Sequence, residues 1–153
     1  KHPNIISFLG AFQHSDAASA ESGQLSHRAI VIEYCPGGDV HDFVNRGGPL
    51  SFGLGVELAG DILRALVHIH KHGLVHRDVK AENVLRRTDG TFVLCDFGIA
   101  ARQGDFRGLA APVNSEGYSA PEMHIGRGVT GKADVFSFGV TLYFATSGQL
   151  PLV

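Results

Sequence analysis

The chain has 153 residues, of which 44% are apolar and 18% charged, with a formal net charge of −2. That is enough for one domain with a core, and the composition excludes a disordered chain. The near-neutral charge gives no electrostatic reason to expect nucleic acid or an anionic membrane as a partner. Two cysteines, Cys35 and Cys95, stand far apart without a C-x-x-C spacing. Neither a zinc site nor a disulfide framework is suggested, so a reducing, cytoplasmic setting is the expectation. No apolar run approaches the roughly 20 residues that span a bilayer. The opening KHPNIISFLGAF is too short and broken for a signal peptide. A start without Met and an end at QLPLV read as a piece of a longer protein.

In chain order, residues 5–12 are apolar and β-prone and predict a strand. Residues 14–26 are rich in Ser and Ala and read as a surface loop. Residues 29–34 (AIVIEY) predict a second strand pairing with the first. Pro36, Gly37 and Gly38 break regular structure, and Asp39 is placed to cap a short helix ending before Gly47. Ser51 caps a long helix over residues 52–72. Leu54, Leu58, Ile62, Leu66 and Ile69 form its apolar stripe; Glu57, Asp61, Arg64, His68 and Lys71 form a polar face. Gly73 ends it. Short strands follow near residues 74–75, 84–86 and 92–94, with an Asp89-Gly90 turn. Residues 98–116 are irregular, and SAPEMHIG reads as one or two helical turns. Residues 130–146 are apolar on all sides around Asp134, which predicts a helix buried in a larger core.

The chemistry concentrates in HGLVHRDVKAENVL, residues 72–85, and in LCDFG, residues 94–98. Asp78, Lys80, Asn83 and Asp96 offer three oxygen acceptors and one ammonium. Such a set is suited to holding a nucleotide triphosphate and its metal ions beside a hydroxyl.

At these residues the chain resembles a eukaryotic protein kinase. The match is to H-R-D-x-K-x-x-N at His76, Arg77, Asp78, Lys80 and Asn83, and to D-F-G at Asp96, Phe97 and Gly98. The resemblance implies an α+β, protein-kinase-like fold, truncated. Residues 1–36 would be the end of the small β lobe and the hinge, and residues 37–153 most of the helical large lobe. It implies transfer of the ATP γ-phosphate to Ser or Thr hydroxyls of a protein substrate, with Mg²⁺ as cofactor.

By resemblance, Asp78 accepts the hydroxyl proton and Lys80 neutralises the transferring phosphoryl group. Asn83 and Asp96 ligate Mg²⁺, which favours oxygen. The Glu33 carbonyl and Cys35 amide would bond adenine, with Ile32 guarding the pocket behind, Leu85 lining adenine from below and Asp39 reaching the ribose. His76 and Phe97 would stack into the core beside Gly98, with Phe8 adjoining. Ser115 would shape the pocket for a Ser or Thr acceptor, and Glu122 would pair with an Arg beyond the chain. Asp134 would brace the catalytic-loop backbone, since a buried carboxylate requires donors.

Arg77 usually accompanies switching by phosphorylation. Yet residues 98–114 contain no Ser, Thr or Tyr, so that switch is expected to be absent, with Asp105 a candidate fixed anion. The glycine-rich loop, its lysine, the helix that follows and the last large-lobe helices are missing, so these residues alone are expected to be inactive or nearly so. A scaffold that binds nucleotide or partners without catalysis is the alternative. A small-molecule kinase is the third reading, disfavoured by Lys80, by Phe97-Gly98 and by Ala120-Pro121-Glu122.

Overall fold

Two local patterns decide the architecture: short apolar, β-prone runs that form strands, and a 3.6-residue stripe in a long helix. The computed structural model describes residues 1–14, 27–104, 117–124 and 130–151. Ser115, Asp105 and most of the irregular stretch lie outside the described residues.

Strands β1 (Phe8–His14) and β2 (His27–Ile32) pair antiparallel, with an irregularity between Phe8 and Gly10. Helix α1 (Val40–Gly47) follows, its first turn capped by Asp39, whose carboxylate accepts the Asp42 N–H at 2.7 Å. Helix α2 (Phe52–Lys71) begins at the Ser51 cap and ends as Gly73 takes a left-handed φ of 70°. Then come β3 (Leu74–Val75), a single 3₁₀ turn (Ala81–Asn83), β4 (Val84–Arg86), β5 (Phe92–Leu94) and β6 (Ala101–Arg102). Strands β4 and β5 form one antiparallel pair, β3 and β6 another. Two helices close the chain, α3 (Pro121–His124) and α4 (Gly131–Ser147).

The core lies where α2 crosses α4 and β5. Leu58, Ile62, Ala65 and Leu66 on α2 are buried against Phe92, Leu94, Phe138 and Phe144. At roughly 1.5–3 kcal/mol for each large apolar side chain buried, this seam is what fixes α2 as the platform under the loops.

Three expectations change. The first strand begins at Phe8, not residue 5, because Ile5 and Ile6 pair with β5 instead: Ile5 bridges Leu94, and the Ile6 N–H donates to the Leu94 carbonyl at 3.0 Å. Asp61, read as polar surface, is 9% exposed and accepts the Phe92 N–H at 2.8 Å. It falls beside the buried seam, three residues after Leu58. Helix α4 is not buried all round: Val135 and Tyr143 are about half exposed.

Candidate active site

The loop between β3 and β4 carries Asp78, Lys80 and Asn83, and the structure brings the three together. One oxygen of Asp78, Oδ2, meets the Lys80 ammonium at 2.9 Å and accepts from the Asn83 amide at 2.9 Å. The same amide nitrogen donates to the Asp78 carbonyl at 2.8 Å. With its nitrogen committed twice, Asn83 is oriented so that its side-chain oxygen faces away from Asp78. That assignment rests on the hydrogen-bond pattern.

Asp96 belongs to a separate segment, the loop after β5. It is tied to the first by two hydrogen bonds at Cys95: the Cys95 N–H donates to the Asn83 carbonyl at 2.9 Å, and the His76 ring Nε2–H donates to the Cys95 carbonyl at 2.9 Å. Asp96 takes a left-handed φ of 56° and accepts the Gly98 N–H at 3.1 Å. A Cβ on Gly98 would sit 3.0 Å from that carboxylate oxygen, so glycine suits this position.

His76 is fully buried at the crossing of these segments, its ring edge-on to Phe97 at 4.7 Å. Its Nδ1 accepts the Asp78 N–H at 3.3 Å while Nε2 donates to Cys95, which defines a neutral ring. Burial holds its pKa below the usual histidine value, against the pull of Asp134, Asp78 and Asp96. Burial, with Asp96 beside it, pushes the Cys95 thiol up to about 12.

Asp134, 1% exposed on α4, accepts the backbone N–H groups of His76 and Arg77 at 2.8 Å each. Arg77 is held at a φ of 73°, a conformation that non-glycine residues avoid. Its Nε is buried without a hydrogen-bond partner among the described residues. Sequence reasoning missed a third donor to Asp134: His70 Nε2, at 2.8 Å. The available signal was its position four residues after buried Leu66 on α2. Gly131 makes room for it, since a Cβ there would lie 2.7 Å from His70 Nδ1.

The segment after β2 packs onto β4. Asp39 bridges Leu85, the Gly37 N–H donates to the Arg86 carbonyl at 3.1 Å and the Arg86 N–H donates to the Gly38 carbonyl at 2.9 Å. A Cβ on Gly37 would lie 2.6 Å from the Arg86 carbonyl oxygen, so this close approach needs glycine. Among the described residues, no hydrogen bond engages the Glu33 carbonyl or the Cys35 N–H. The Glu33 side chain is spoken for: Arg87 grips it at 3.0 and 2.6 Å and holds its carboxyl below the usual range. This pair went unread in the sequence because its members are 54 residues apart.

Behind this segment lies a cavity of about 590 Å³ lined by Ile32, Phe8, Asp96, Phe97 and Gly98, with Ile5, Ile6, Ile30 and Cys95. Phe8 is 61% exposed, a wall of the cavity more than a member of the His76–Phe97 stack. Glu122 sits half-buried in α3.

Comparison with known proteins identifies the family. The family model "Protein kinase domain" matches residues 1–153. The chain is 34% identical over 152 residues to the putative sperm motility kinase W of Mus musculus, covering 99% of this chain and 28% of that protein. It is 32% identical over 155 residues to the serine/threonine-protein kinase PknB of Mycobacterium leprae (99% of this chain, 24% of that one). To the serine/threonine-protein kinase STY46 of Arabidopsis thaliana it is 30% identical over 152 residues (99% and 25%). A catalytic-loop platform on a helical body, with a small strand sheet beside it, is the architecture of a protein kinase domain. The chain belongs to the protein kinase domain family. It spans about a quarter of the length of these three relatives.

Proposed function

We propose that the protein containing this chain transfers the γ-phosphate of ATP to Ser or Thr hydroxyls of protein substrates inside the cell. Residues 1–36 then belong to the small lobe and hinge, and residues 37–153 to the large lobe. The observation that carries this reading is the arrangement at Asp78: an ammonium and an amide fix one carboxylate oxygen, and the residue before Asp96 is hydrogen-bonded to the same loop at Asn83 and His76.

The donor set fits magnesium. Asn83 and Asp96 offer hard oxygen from two tied segments, and Mg²⁺ prefers such ligands. When bound, Mg²⁺ neutralises charge on phosphate oxygens. The chain's own residues do the rest. Asp78, held by Lys80 and Asn83, accepts the proton of the attacking hydroxyl. Lys80 presents positive charge toward the transferring group. The Glu33 carbonyl and Cys35 N–H, with no other described partner, are assigned to adenine, Leu85 to its lower face, Asp39 to the ribose and Ile32 to the pocket behind. The Ser115 hydroxyl is assigned to acceptor choice. His70, His76 and Asp134 position the loop and touch no reacting atom.

The test uses the full-length protein and its Asp78→Asn variant with radiolabelled ATP and a generic protein substrate. The variant should lose on the order of 10²–10⁴-fold in rate, the usual worth of a positioned general base. Phosphoamino-acid analysis should return Ser and Thr. Equal rates would refute the role of Asp78. Nucleotide binding without any transfer by the parent protein would favour the scaffold reading.

A further inference from the structure

The outer face of α2 carries a feature that phosphoryl transfer leaves unused. His68 and His72 stand one helical turn apart with ring centroids 4.5 Å apart, and His2 lies across His68 at 4.6 Å. Beside them is a groove of about 350 Å³ lined by His2, Leu63, Arg64, Val67, His68 and Lys71. None of these residues belongs to the candidate active site. The floor is apolar, with Leu63 42% and Val67 52% exposed. The rim carries the guanidinium of Arg64 and the ammonium of Lys71, with the rings of His2 and His68 beside them. Among the described residues, no carboxylate lines it. The opposing charge close by is Asp61, buried beneath Arg64 and already shared between that side chain and the Phe92 N–H.

We propose that this groove docks an acidic peptide segment of a partner protein, with apolar residues interleaved among its Glu or Asp. Charge complementarity selects the acidic partner, and exposed Leu63 and Val67 select the apolar one. A membrane surface fits less well. Lipid-binding patches use clusters of about 4–8 Lys or Arg, and this groove has Arg64 and Lys71 alone.

The histidines add a pH dependence. Burial, with His68 and Arg64 beside it, holds His2 below the ordinary histidine value. Entering carboxylates would offset this crowding of cations. Binding should then tighten in mild acid as His2 charges beside Arg64 and Lys71, with Asp61 the opposing group.

The experiment is fluorescence anisotropy on the full-length protein with a labelled Leu/Glu peptide. The comparison peptides carry Lys for Glu, or Gly for Leu. Expected are saturable binding of the Leu/Glu peptide only, a loss on the order of tenfold in Lys71→Glu, and weaker binding in Val67→Ser. A few-fold tightening is expected from about pH 7.5 to about pH 6. Both substituted side chains are exposed, and phosphotransfer to a generic substrate should be unchanged. The proposal fails if the Leu/Glu peptide does not saturate, if neither substitution weakens it, or if the Gly/Glu peptide binds equally well. It also fails if phosphatidylserine vesicles bind in a Lys71-dependent way while the peptide does not. Because the readout is binding, such a failure leaves the phosphotransfer reading untouched.

Discussion

Asp134 is a single carboxylate with three donors, the N–H groups of His76 and Arg77 and the ring of His70. Charge-assisted bonds of this kind can hold Arg77 in its left-handed conformation, which otherwise costs of order 1–3 kcal/mol. Replacing Asp134 by Ala orphans buried donors at about 1–3 kcal/mol each. Asp134→Ala should therefore lower the thermal midpoint sharply and reduce phosphotransfer with it, while Asp134→Asn does less harm. Differential scanning calorimetry beside a kinase assay would check both.

His76 makes a second residue-scale prediction. Its pKa in the folded protein lies below the unfolded value of about 6.5. As pH falls through that range the unfolded chain takes up more protons, so stability must fall with pH. His76→Phe, which cannot charge, should melt lower at neutral pH but show a flatter decline between about pH 7 and about pH 5. At this scale the candidate ligands were legible because they sit a few residues apart in two short loops. Their supports were not: His70 lies 64 residues from Asp134, and Asp61 lies 31 from Phe92. A polar residue on a helix does not announce which distant backbone it serves.

Among the elements, α2 does most to place the loops. Its stripe of Leu58, Ile62 and Leu66 is buried to within 2%. Leu58→Ala should cost about 2–5 kcal/mol, measured by denaturant unfolding, because a cavity there cannot collapse between two helices. The helix was legible nearly to its ends, from the Ser51 cap to Gly73, since capping and periodicity are local signals. The first strand was placed less well. Its early residues pair with β5, some 90 positions later, and periodicity carries no record of the partner. The close approach of Gly37 to Arg86 was equally silent, for the sequence shows only a turn-forming Pro-Gly-Gly.

Across the whole molecule, apolar surface remains open on both faces of the β1–β2 pair. Phe8, Leu9, Phe12 and Ile30 are each 58% or more exposed. Large apolar side chains exposed to this extent mark surfaces that other protein covers. Residues 1–153 expressed alone should bind a hydrophobic dye such as anilinonaphthalene sulfonate strongly, and the full-length protein should not. Equal dye binding by both would sink that expectation. The family was legible because its motifs are contiguous. The salt link between Glu33 and Arg87, which clamps the segment after β2 to the body, was not.

Gly131 sits on the first turn of α4, with no hand in the chemistry, and the ring of His70 occupies the space where a side chain would stand. A single methyl added there must evict the imidazole, and the eviction travels through Asp134 to the backbone that aims Asp78. Divergence at this one site, however conservative it looks, therefore reaches the loop of Asp78 along a path that its distance conceals.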